Sequence, residues 1–244
     1  MYPTFSLSDF KVIISGPSIE VFEFEKGLRH GYQGRGGRPR NVSTPNAHQR
    51  RQTLSKARTR IERLSFANFN THDKFITLTF AETPLSLKQA NTDFKHFIQK
   101  LRYRFRNFRY LAVLQFQDKN DRGTVHYHLL TDLPYIDQVE LAALWGHGFV
   151  KINSIRHVEN VGEYVTSHLT DDPFDARLHG HKIFFTSRNL KKPVIVRGIE
   201  AKEIADALKT KKEVSAMYYH SEYFGKINIT KFNLNSLGIE TLEA

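Results

Sequence analysis

Apolar residues recur in two rhythms along this chain. In residues 11–25, KVIISGPSIEVFEFE, valine, isoleucine and phenylalanine in strand-like alternation flank Gly16-Pro17. Gly-Pro is turn chemistry, so the stretch predicts a hairpin. Residues 45–69 scatter Leu54, Ile61 and Leu64 among arginines and lysines, which predicts a mostly polar, basic helix. FITLTF (75–80) predicts a strand. Across 85–105, Leu87, Phe94, Ile98, Leu101 and Phe105 fall near helical spacing, so a helix with one buried face is expected. YLAVLQFQ (110–117) predicts a strand, DKNDRG a turn, and GTVHYHLL (123–130) the strand that follows. A short helix over 139–144, a strand over 149–155, a helix over 158–170 and a strand over 182–185 continue the series. A helix near 199–209 and a β-rich stretch beyond it close the chain.

The central order β-α-β-β-α-β-α predicts an α+β fold. Its core should be an antiparallel or mixed central sheet of ferredoxin-like, split βαβ type with helices packed on it. Three parts are expected: an N-terminal hairpin and basic Gly/Arg loop (1–44), a central domain (45–195), and a C-terminal α/β extension (196–244). No internal repeat or coiled coil is visible.

Charge sharpens this picture. The 244 residues carry 36 Lys and Arg against 25 Asp and Glu, a net charge of +11, which favours a polyanionic partner such as nucleic acid. Cysteine is absent, so disulfides and thiolate ligands are excluded, and a bound metal must use imidazole, carboxylate, amide or water. The N-terminus lacks the pattern of a secretion signal, and no apolar run reaches membrane-spanning length. A soluble, cytoplasmic protein of a bacterial or archaeal host, with no membrane partner, is expected.

The chemistry concentrates in GTVHYHLL. On a strand, residues two apart share a face, so His126 and His128 stand side by side while Tyr127 and Leu129 turn away. Side-by-side imidazoles fill a core poorly and hold a metal well. With 12 histidines in the chain, chance supplies such a pair often enough that only its context gives it weight. On the preceding strand Gln115 and Gln117 also share a face. In FITLTF, Thr77 and Thr79 do so too, either near the histidines or as ordinary strand threonines.

FITLTF, GTVHYHLL and NVGEYVTSHLTDD (160–172) stand in the order of the three motifs of the HUH endonucleases. The chain resembles that superfamily over roughly residues 45–195, in particular the rolling-circle replication initiators of bacterial plasmids and phages. The resemblance implies an HUH-type (RRM-like) sheet and a divalent cation, Mn²⁺ or Mg²⁺, held by His126 and His128. It also implies a nucleophilic Tyr164 that cuts single-stranded or hairpin origin DNA, leaving a 5′-phosphotyrosine and a free 3′-OH. A neighbouring strand should supply a third ligand. The family's pattern there is like Leu-Glu-Phe-Gln, and this chain reads Leu114-Gln115-Phe116-Gln117, so Gln115 ranks first and Gln117 second, unless both merely line a polar face. The family's Tyr-x-x-Lys is here Tyr164-Val165-Thr166-Ser167. His168, four residues on from Tyr164, is either a contact to phosphate or phenol or a surface residue without a role.

Candidate phosphate contacts are Arg35, Arg38 and Arg40 in the Gly/Arg loop, Arg51 and Arg58 in the basic helix, and Arg188 and Lys191 after the last motif; solvated charge is the alternative. Tyr218, Tyr219 and Tyr223 either pack within strands or stack on bases. No Walker motif is present, so unwinding and extension imply a partner helicase and a DNA polymerase. Two other readings fit the same residues: a relaxase or single-strand transposase with the same chemistry, and a non-catalytic single-stranded nucleic-acid-binding protein.

Overall fold

The computed structural model describes residues 6–30, 47–82, 86–117, 123–155, 161–167, 177 and 181–235. The chain falls into two compact units, Pro45–Lys191 and the flanks Met1–Thr44 with Lys192–Ala244. Among the described residues are five helices and ten strands, and the strands form two five-stranded sheets.

In the unit Pro45–Lys191 the elements are α1 (Ala47–Asn68), β3 (Lys74–Thr79), α2 (Leu87–Phe105), β4 (Tyr110–Gln117), β5 (Thr124–Thr131), α3 (Gln138–Trp145), β6 (Val150–Ser154), α4 (Val161–Thr166) and β7 (Phe184–Thr186). The sheet order is β6-β3-β5-β4-β7 and every pairing is antiparallel. Strand β5 lies between β3 and β4, which run parallel to each other and are joined through α2. Likewise β3 lies between β5 and β6, which are joined through α3. Two interleaved split βαβ units are the ferredoxin-like arrangement, as expected.

One face of this sheet packs against α2 and α3. Ile76, Leu78, Leu114, Tyr127 and Leu129 meet Phe94, Phe97, Ile98 and Leu101 of α2 and Leu141 and Trp145 of α3. Ser86 caps α2 by accepting from the Gln89 N–H at 3.2 Å, and Asp137 caps α3 by accepting from Val139 at 2.8 Å, both standard N-cap chemistry. The opposite face meets α1 and α4: Ile61 and Leu64 of α1 and Val165 of α4 pack over Phe75, Leu111, Val113 and Leu130. The helix expected to be mostly polar therefore anchors on very few apolar residues. Where α1 meets α4, a Cβ added at Gly162 would come within 3.0 Å of the Glu62 Cα, so glycine permits the close approach.

The described part of the helix expected over 158–170 is α4 alone. Just past its end the Ser167 hydroxyl donates to the Tyr164 carbonyl oxygen at 2.7 Å.

The flanks hold β1 (Ser6–Ser15), β2 (Ser18–His30), β8 (Val194–Arg197), α5 (Ile199–Leu208), β9 (Ser215–Ser221) and β10 (Gly225–Asn233). The β1–β2 hairpin turns at Gly16, whose φ of 56° suits glycine. The sheet order is β8-β1-β2-β10-β9, so the N-terminal hairpin and the C-terminal extension, read separately in the sequence, share one sheet. Strand β8 had no sequence signal: four residues after Lys191-Lys192-Pro193 become a strand only by pairing with β1. Helix α5 covers one face through Ala201, Ala205 and Leu208, against Val12, Ile19, Val21 and Phe232. Tyr218, Tyr219 and Tyr223 are 67%, 48% and 80% exposed, so the packing alternative does not describe them.

Candidate active site

The site forms on the face of the central sheet that α1 and α4 only partly cover. Register places it: on β5, His126 and His128 lie opposite Thr79 and Thr77 of β3 on one side, and opposite Gln115 and Val113 of β4 on the other. All point to the same face, while Tyr127 and Leu129 enter the α2–α3 core. Toward the start of β3 this face is apolar, with Phe75, Leu111, Val113 and Leu130. Toward its end it turns polar, with Thr77, Thr79, Gln115 and the two imidazoles.

Each histidine is held through Nδ1. Thr77 Oγ1 lies 3.1 Å from His128 Nδ1 and Thr79 Oγ1 lies 3.4 Å from His126 Nδ1. The ring centroids are 6.3 Å apart. His128 is buried, and its Nε2 donates to Gln115 Oε1 at 2.8 Å. The Nε2 of His126 is buried and has no hydrogen-bond partner among the described residues. Leaving such a group unpaired costs about 1–3 kcal/mol, so a native fold that keeps one invites a ligand there. Burial also holds His126 below the ordinary imidazole range, which keeps the ring neutral and its lone pair available to a cation.

The end of β3 is built tightly. Trp145 Nε1–H donates to the Thr79 carbonyl at 3.0 Å, and the Thr79 N–H donates to Phe149 O at 2.9 Å. A Cβ on Gly148 would stand 2.4 Å from the Thr79 carbonyl oxygen, so a side chain there would push β3 away.

Tyr164 of α4 reaches the same face. Its ring meets Phe75 edge-on at 4.8 Å, and Phe75 stacks on His128 at 5.6 Å with the planes 15° apart. Phe75, itself 1% exposed, thus stands between the tyrosine and the histidine pair. It was not singled out in the sequence, although its place two residues before Thr77 puts it on the face of both threonines.

The donors fit a hard divalent cation. Among the described residues no three His, Cys, Asp or Glu side chains converge, so a cation here would rest on His126, His128 and the amide oxygen of Gln115. The 2.8 Å between His128 Nε2 and Gln115 Oε1 matches the spacing of about 3 Å between adjacent ligands of an octahedral ion with bonds of about 2.1 Å. No carboxylate is among these donors, so the cation's charge would remain largely unneutralised toward a phosphate.

Other expected residues stand apart from this cluster. Gln117 pairs with Thr124 in the β4–β5 ladder, but its side chain lies outside the described residues, as do His168, Arg35, Arg38 and Arg40. Arg51 is exposed on α1 and Arg58 half-buried there. Arg188 and Lys191 are exposed after β7. The Lys191 backbone is tied to the end of α1, its N–H donating to Asn68 Oδ1 at 2.7 Å and its carbonyl accepting from Asn68 Nδ2 at 2.9 Å.

Residues 73–173 match a family model, that of the replication-associated protein ORF2 family. That span runs from the start of β3 past α4, and so includes the ferredoxin-like core, both histidines, Gln115 and Tyr164. It covers less than half of the chain. No curated protein and no solved structure matches. No helix among the described residues is long and apolar enough to cross a membrane.

Proposed function

We propose that this chain is a metal-dependent single-strand DNA nicking and joining enzyme of HUH type that starts rolling-circle replication. One observation carries the reading: His126, His128 and Gln115 converge on one sheet face with Tyr164 a single phenylalanine ring away, inside the segment that resembles a replication-associated family. His126, His128 and Gln115 would hold the cation, Mn²⁺ or Mg²⁺, which when bound supplies Lewis acidity to the scissile phosphate. Tyr164 Oη attacks the phosphorus. An Oη–P ester forms, the P–O3′ bond breaks, the phenolic proton leaves to His168 or solvent, and the departing O3′ takes up a proton. The 3′-OH is then free for extension, and the phosphotyrosine conserves the bond for later rejoining. Helix α4, docked through Val165, fixes the approach of the phenol, which an unactivated tyrosine of pKa about 10 requires.

A second reading, a non-catalytic single-strand binder, gains support from the neutral amide of Gln115 where the related motif has a carboxylate. One experiment separates them. Single-stranded oligonucleotides spanning the replication origin of the protein's own element are incubated with and without Mn²⁺ and run on a denaturing gel. A metal-dependent covalent adduct supports the enzyme; tight binding with no adduct supports the binder.

A further inference from the structure

We infer that Thr77 and Thr79 are positioning residues that fix the protonation pattern of the two imidazoles, and that β3 is therefore the strand that sets the cation site. The inference rests on the proposed metal site for its binding arm only. Gln115 Oε1 can only accept, so at 2.8 Å it requires the proton of His128 on Nε2, and the Thr77 hydroxyl then donates to Nδ1 at 3.1 Å. When a cation takes the Nε2 lone pair, that proton must move to Nδ1, and Thr77 Oγ1 becomes the acceptor. A hydroxyl serves both states by rotating its hydrogen; a carbonyl or carboxylate accepts only, and a methyl does neither. At His126 the assignment is reversed. Its Nε2 has no partner among the described residues, so Nδ1 carries the proton and donates to Thr79 Oγ1 at 3.4 Å. The metal-free protein thus holds its two histidines in opposite tautomers, one already in the ligand form and one that a hydroxyl lets convert.

The tautomers are read by long-range ¹H–¹⁵N correlation of the intact, metal-free protein. His126 should show Nδ1–H and His128 Nε2–H, and in Thr79→Val the Nδ1–H preference of His126 should be lost. Mn²⁺ titration calorimetry supplies the second readout. Thr77→Val and Thr79→Val should each weaken binding about 10–100-fold, the usual cost of losing a ligand's outer partner. Thr77→Ser and Thr79→Ser should restore it, and all four variants should keep the wild-type circular dichroism spectrum. An Nε2–H His126 in the wild type, or valine variants that bind Mn²⁺ as tightly as the wild type, would overturn the inference. If the wild type binds no Mn²⁺, the proposed metal dependence fails, and the tautomers alone decide this point.

A different observation carries a second inference. On α2, Lys88, Lys95 and Arg102 recur every seven residues, which lines them up about 10 Å apart on one helix face. All three are exposed, and Arg106 follows just beyond the helix, also exposed. The only acid on α2, Asp93, is buried and held by Gln89 at 2.8 Å. Glu140 of the neighbouring α3 pairs with Arg104 instead. We propose that this stripe, on the layer of the sheet opposite the histidines, contacts the phosphates of a nucleic-acid segment away from the cut. The triple variant Lys88→Glu, Lys95→Glu, Arg102→Glu alters no core residue. Its log-affinity against log-salt slope is measured on a duplex and on a single strand of unrelated sequence. A slope shallower by about 2–3 on duplex identifies flanking duplex as the partner, and one shallower by about 2 on single strand alone identifies displaced strand. Unchanged slopes on both overturn the proposal.

Discussion

The two sheets of this molecule use the same parts for different ends. Each has five strands paired antiparallel throughout, and each presses one face against helix. Away from α5, the flanking sheet carries Ile13, Phe22, Phe24 and Ile227, with the Lys11 ammonium 3.8 Å above the Phe22 ring. Away from α2 and α3, the central sheet gives half of its face to Thr77, Thr79, Gln115, His126 and His128. A face that only has to be stable is filled with apolar side chains, because burying polar groups costs free energy unless each is paired. The central sheet pairs nearly all of its polar groups and leaves His126 Nε2 bare among the described residues. That contrast marks where chemistry belongs.

The largest effect should come from removing the imidazoles. His126→Ala with His128→Ala should lower cleavage of origin DNA by about a thousandfold or more, the scale on which whole electrostatic elements of catalysis act. Binding of the same DNA should fall far less, since phosphate contacts elsewhere dominate affinity. Undiminished cleavage by that double variant would erase the functional distinction between the sheets.

Stability sharpens the comparison next. Leu111→Ala in the central sheet and Ile227→Ala in the flanking sheet each empty a fully buried position and should each cost about 2–5 kcal/mol in denaturant melts. The second should leave Mn²⁺ affinity within about twofold of the wild type. A large loss of Mn²⁺ binding in Ile227→Ala would mean that the flanking sheet also shapes the site.

How much of this was legible in the sequence differs between the same two regions. In the central unit each element follows the last in the chain, so local periodicity and turn residues were enough to place β3, α2, β4, β5 and α3. Strand alternation alone put His126 and His128 on one face with Gln115 beside them. Phe75 escaped notice because its role depends on α4 returning over β3, a contact between distant segments. The flanking sheet was hidden for the same reason: β2 pairs with β10 across most of the chain, and the four residues of β8 show no strand pattern until β1 lies beside them. Apolar rhythm records what each segment buries, and it does not record the partner.

Smaller effects remain. Gln115→Glu restores a charged donor and should tighten Mn²⁺ binding about tenfold, or about 1.4 kcal/mol, measured by calorimetry; unchanged affinity would remove Gln115 from the ligand set. Deleting residues 27–41, with Arg35, Arg38 and Arg40, should flatten the salt dependence of non-specific DNA binding by about 0.7–0.9 per lost phosphate contact. An unaltered slope would return that segment to the status of a linker.

The most direct measurement is to trap the protein on its own origin strand with Mn²⁺, digest it, and locate the nucleotide by mass spectrometry, in the wild type and in Tyr164→Phe. The 5′-phosphate should sit on Tyr164 in the wild type. In the variant, which keeps the ring against Phe75 and loses only the oxygen, the adduct should vanish. DNA attached to any other residue, or an adduct that survives in Tyr164→Phe, would contradict the assignment of the nucleophile.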